Sequence, residues 1–123
     1  MLSAYLWLDA ALYLAFAFWC AIGWKRTSAA MGYVELDAAG RTEFLTVYGG
    51  LQLALAGTFG RAAPAGEERF GLVLALGLYV PVVAFRIVGF LRNRPVGSVT
   101  RAVAALEAAL FAFALALRFG GAR

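Results

Sequence analysis

The sequence predicts an all-α integral membrane protein, a four-helix bundle forming one transmembrane domain over residues 1–123. Three observations lead there. Hydrophobic residues make up 63% of the chain and charged residues 15%, against roughly 45–50% and about 25% in ordinary globular proteins. A chain of 123 residues has too high a surface-to-volume ratio to hide so much apolar surface within itself. The apolar residues also fall into four blocks, each near the ~20 residues that cross ~30 Å of hydrocarbon as a helix. None of the blocks alternates with the period of two that a barrel strand requires.

The first span is predicted over about 2–24, closed by Trp24-Lys25-Arg26 as an aromatic and then basic interface. It lacks the basic leading region of a signal peptide, and three more blocks follow, so it reads as a retained helix. A long semi-polar connection comes next, with Met31, Tyr33, Val34 and Leu36 expected in the interface. Asp37-Ala38-Ala39-Gly40 reads as a turn into the second helix. The second span, 42–60, lies between Arg41 and Arg61, and a connection with Pro64 and Gly66 leads to the third. The third, 70–91, holds Pro81, which should free the carbonyl of Gly77 and kink the helix or open a small polar gap. A tight hairpin through Arg92-Asn93-Arg94-Pro95 leads to the fourth span, 99–119, with Ser98 or Thr100 as its N-cap. Ala104, Ala105, Ala108, Ala109 and Ala112 give that last helix a slim profile suited to tight packing.

Net charge is +4 and histidine is absent. The arginines flank the apolar blocks and form no dense patch with exposed aromatics, which argues against nucleic acid as a partner. Lys25, Arg26, Arg41, Arg92, Arg94 and Arg101 fall on one side of the predicted bundle, and Arg61, Arg69, Arg118 and Arg123 on the other. The basic excess belongs in the cytoplasm, so both termini are expected outside it. Cys20, the one cysteine, has no partner for a disulfide or a Cys/His metal site and reads as a small packing residue. No metal or cofactor is expected.

Polar groups inside the spans carry the functional information, because an ionisable side chain at membrane depth costs at least ~2.5–3.5 kcal/mol. Arg86 lies six residues before Arg92, and Glu107 six after Arg101. Antiparallel helices would place them at matched depth, roughly 9 Å in at 1.5 Å per residue. They should pair and hold each other ionised, either fixing helix register or anchoring a ligand head group. Glu43 begins the second helix, where the helix dipole favours a carboxylate. It also heads a run of Val47, Gly50, Ala54 and Gly57 at i+3 and i+4 spacing, a small-residue face expected to point into the bundle with Arg86 as a candidate partner of Glu43. Tyr48 and Gln52 form an i, i+4 pair on another face, as polar glue between helices or as the lining of a wet cavity. Asp9 lies between Tyr5 and Tyr13 in the other leaflet, where Arg118 could reach it by snorkelling.

The second helix opens Glu43-Phe44-Leu45-Thr46-Val47-Tyr48-Gly49-Gly50-Leu51. Together with Arg86 in a span, an Arg94-Pro95 turn and a last helix bearing Glu107, this resembles an uncharacterised bacterial family of four-helix membrane proteins with a Glu…Tyr-Gly-Gly signature. That family is itself similar to the DoxX/DoxD-like group. The resemblance implies the four-helix fold and the bacterial inner membrane, and it names no reaction. DoxX-like proteins are linked to quinone or thiol redox metabolism, and lone Cys20 offers no redox pair.

The residues thus point first to a non-catalytic accessory subunit or a binder of lipid, quinone or isoprenoid head groups. Its polar cluster would be Glu43, Tyr48, Gln52, Arg86 and Glu107, within a larger membrane complex or a homo-oligomer. A small proton-coupled transporter using Asp9 is the second reading. A membrane enzyme acting on quinone or lipid, with Tyr48 and Glu43 as acid–base groups, is the third.

Overall fold

Residues 2–22 contain neither glycine nor proline, and nothing in them interrupts a helix. In the computed structural model, which describes residues 1–64, 66–93 and 95–120, they form α1 (Leu2–Ile22). The chain is all-helical, with no strand among the described residues. It divides into two compact units, Met1–Glu68 and Arg69–Arg123.

In the first unit, Gly23 ends α1 and bends the chain into a second, short helix, α2 (Trp24–Ala30). The Gly23 carbonyl stays in use, accepting from the Thr27 backbone N–H at 3.0 Å and from the Thr27 hydroxyl at 2.9 Å. A Schellman motif closes α2: Tyr33 N–H donates to the Ser28 carbonyl and Gly32 N–H to that of Ala29, both at 3.0 Å. It needs a left-handed residue at its hinge, and Gly32 supplies φ +95°. The connection expected from Lys25 to Arg41 is therefore helical at its start and helical again from Ala38. Asp37 is not part of a free-standing turn: it N-caps α3 (Ala38–Phe44), its Oδ1 accepting from Gly40 N–H at 2.7 Å.

The helical path then continues through a π-helical turn (Leu45–Leu51) into α4 (Gln52–Ala62). This π turn, with its i→i+5 bonding, was not anticipated. The small-residue face read from the sequence is not the one that packs. Glu43, Val47, Gly50, Ala54 and Gly57 are all exposed. The close approaches to α1 come from Gly49 and Gly60. A Cβ on Gly49 would lie 3.7 Å from Ala21, and one on Gly60 would lie 3.7 Å from the Trp7 ring. These two contacts, at opposite ends of both segments, show α1 and α4 running antiparallel. Leu6, Asp9, Ala17 and Cys20 of α1 are buried, as are Ala56, Phe59 and Ala62 of α4. Phe59 stacks on Tyr13 with centroids 5.7 Å apart.

The second unit holds α5 (Glu68–Arg92, which starts one residue before it) and α6 (Ser98–Gly120). α5 runs as α-helix through Pro81 without interruption. Its less exposed side follows Leu72, Ala75, Tyr79, Val82, Arg86 and Phe90, a 3-and-4 spacing that carries Arg86 inward. On α6 the corresponding stripe is Val103, Glu107, Leu110 and Ala114. The slim alanine face is mostly on the other side, with Ala105, Ala108, Ala109 and Ala112 exposed. Of the expected hairpin turn, Arg94 lies outside the described residues, as does Arg123 of the charge count.

α1, α5 and α6 are long and apolar enough to cross a membrane. The second predicted block is not among them. Glu43 and Gln52 dilute its hydropathy, and the π turn breaks its α-helix into short pieces.

Candidate functional site

In the second unit Arg86 and Glu107 form a two-point bridge. Arg86 Nε donates to Glu107 Oε2 at 2.7 Å and Arg86 Nη2 to Oε1 at 3.1 Å. The parallel bonds match the guanidinium fork to both carboxylate oxygens, the strongest geometry open to such a pair. The side chains are 34% and 18% exposed. Each carboxylate oxygen thus accepts one charge-assisted bond from the guanidinium, which joins α5 to α6.

In the first unit the π turn presents Tyr48 to an aromatic corner. Tyr48 stacks on Phe44 at 4.7 Å, and Tyr33 stands edge-on to Phe44 at 5.8 Å. The Tyr33 and Tyr48 hydroxyls lie 3.3 Å apart, at hydrogen-bond distance. Phe16 of α1 closes the corner against Tyr48. Gln52 does not face Tyr48: its Nε2 donates to the Val47 carbonyl at 3.4 Å, across the wide turn. Glu43 is exposed on α3.

Next to this corner α2 and the segment after it enclose a groove of about 410 Å³. Trp24, Lys25 and Ser28 line one wall, and Tyr33, Glu35 and Asp37 the other. Lys25 Nζ lies 5.7 Å from the Trp24 ring centroid and Arg41 Cζ 5.6 Å from it, so one indole holds two cations by its π-face. Trp24 and Tyr33 were expected only as interfacial residues. Their assembly into a groove with Glu35 and Asp37 depends on the Gly32 reversal, for which the sequence offers a glycine but no direction.

Asp9 is fully buried on α1, and its carboxylate is hydrogen-bonded to the hydroxyl of Tyr5, one turn earlier. Arg118, expected as its snorkelling partner, lies over the ring of Phe119 with Cζ 5.9 Å from the centroid.

No family model, no curated protein and no solved structure matches the chain.

Proposed function

We propose that the chain is a four-span protein of the bacterial inner membrane that binds the head group of a membrane amphiphile and acts as a non-catalytic accessory subunit. The observation that carries this reading is the groove at the end of α1, beside the aromatic corner. The 21 residues of α1 rise about 31 Å at 1.5 Å each, enough to cross the ~30 Å hydrocarbon layer. Trp24, Lys25 and the groove beyond them then fall at head-group level, where amphipathic aromatics and basic side chains are favoured. In this reading the Arg86–Glu107 bridge serves to fix register, the structural one of its two expected roles.

The helical run 38–62 supplies the fourth crossing in this reading, with Glu43 near its entry. The Glu43…Tyr48-Gly49-Gly50 resemblance supports the bacterial inner membrane, and the basic excess around Lys25, Arg26 and Arg41 supports termini outside the cytoplasm. An even number of crossings puts both termini on one side. Compartment-sensitive reporters fused to the N- and C-terminus are expected to report the same, periplasmic, face; opposite faces would mean three crossings.

Binding is tested on protein purified in mild detergent and analysed by native mass spectrometry. Wild type is expected to retain a stoichiometric amphiphile, either phospholipid or quinone. Trp24→Ala should lose most of it, because the indole forms one wall and holds both neighbouring cations. Wild-type protein free of any retained amphiphile would sink the reading.

A further inference from the structure

We infer that the groove between α2 and residues 33–37 selects a zwitterionic aminophospholipid head group of the phosphatidylethanolamine type. This rests on the head-group reading above and names the class of ligand. The lining carries both signs of charge: Lys25 comes from α2, beside the indole, and Glu35 and Asp37 from the segment after it. No ion pair joins Lys25 to either acid among the described residues, so the lining charges have not neutralised each other. A head group with a phosphate and a primary ammonium a few bonds apart carries the complement of both charges. The phosphate meets Lys25, and the ammonium meets the carboxylates.

Three further observations narrow the class. Asp37 Oδ1 accepts the cap bond from Gly40 N–H at 2.7 Å, yet an ionised carboxylate has about four acceptor sites in all, leaving capacity for an ammonium. An anionic head group without an amine would bring its charge against Glu35 and Asp37, a like-charge arrangement that disfavours the wrong partner. A choline group has no N–H to donate, so it cannot make the charge-assisted hydrogen bonds that a primary ammonium makes to Glu35 and Asp37. At about 410 Å³ the groove has the size of a small-molecule site, commonly about 300–1,000 Å³. Its rim includes Val34, 96% exposed, an apolar edge where the glycerol and first methylenes of a lipid would lie.

The test uses the full chain in detergent micelles, offered equimolar phosphatidylethanolamine, phosphatidylglycerol and phosphatidylcholine with matched acyl chains, and reads retained lipid by native mass spectrometry. Wild type should retain phosphatidylethanolamine about tenfold over each of the others, the scale of one charge-assisted contact. Glu35→Gln combined with Asp37→Asn should abolish that preference. Asparagine preserves the N-cap of α3, and an unchanged circular dichroism spectrum checks that the helices persist. Lys25→Ala should lower retention of phosphatidylethanolamine and phosphatidylglycerol alike. Equal or greater retention of phosphatidylglycerol or phosphatidylcholine by wild type overturns the inference while leaving the head-group reading in place. So does a preference that survives the double substitution. Failure to retain any of the three, or a quinone, removes the underlying reading itself.

Discussion

Phe59→Ala is expected to destabilise the first unit by about 3–5 kcal/mol, while Phe85→Ala changes stability by no more than about 0.5 kcal/mol. The two residues have the same side chain and opposite surroundings. Phe59 is fully buried between α4 and α1 and stacks on Tyr13, so its removal leaves a cavity in a contact already closed by Gly60. Phe85 is 80% exposed on α5, and against lipid an exposed phenylalanine contributes little to folding because acyl chains are as apolar as the ring. Reversible unfolding in mixed micelles of detergent and denaturing surfactant measures both. Equal losses would contradict this contrast and point to a partner, another chain or a second copy, packed over Phe85. A small loss at Phe59 would mean that α1 and α4 hold together by other contacts, for which Leu6 and Cys20 would be next to examine.

What the sequence disclosed, and what it hid, follows from the range over which each feature is encoded. The long helices are written in uninterrupted apolar runs, and α1, α5 and α6 begin and end within a few residues of the blocks. The meeting of Arg86 and Glu107 was also legible, because a short turn and a fixed rise of 1.5 Å per residue convert equal distances from the turn into equal depth. The packing face of the second block was not. Small residues recur on more than one face of that block, so i+3 and i+4 spacing alone does not choose between Gly50 with Gly57 and Gly49 with Gly60, which make the contact. The aromatic corner was hidden for a different reason. Tyr33 and Tyr48 are 15 apart in sequence, and they meet only because Gly32 turns the chain back after α2. Asp37 was placed at the right point but as part of a turn, although an Asp three residues before Gly40 also fits an N-cap.

The Arg86–Glu107 bridge yields the second large effect, and its size distinguishes two environments. Arg86→Met alone and Glu107→Met alone should each cost about 3 kcal/mol or more, because each removes one half of a bidentate charge pair at membrane depth. The double substitution should recover most of that loss and fall within about 1 kcal/mol of wild type, since two matched apolar side chains need no desolvation to be buried. The side chains are 34% and 18% exposed in the folded chain taken by itself. If water filled that exposure, the bridge would behave as a surface pair, worth about 0–1 kcal/mol, and each single substitution would be mild. If hydrocarbon fills it, no water is at hand to replace the lost bonds, and the single losses approach the larger figure. Unfolding of the four proteins in the same mixed micelles provides the cycle, and its coupling energy is the quantity to compare. Coupling above about 2 kcal/mol fits a clasp at membrane depth that fixes the register of α5 on α6. Additive single losses would show that the 2.7 Å and 3.1 Å contacts contribute no register energy, and would return the pair to the search for a ligand.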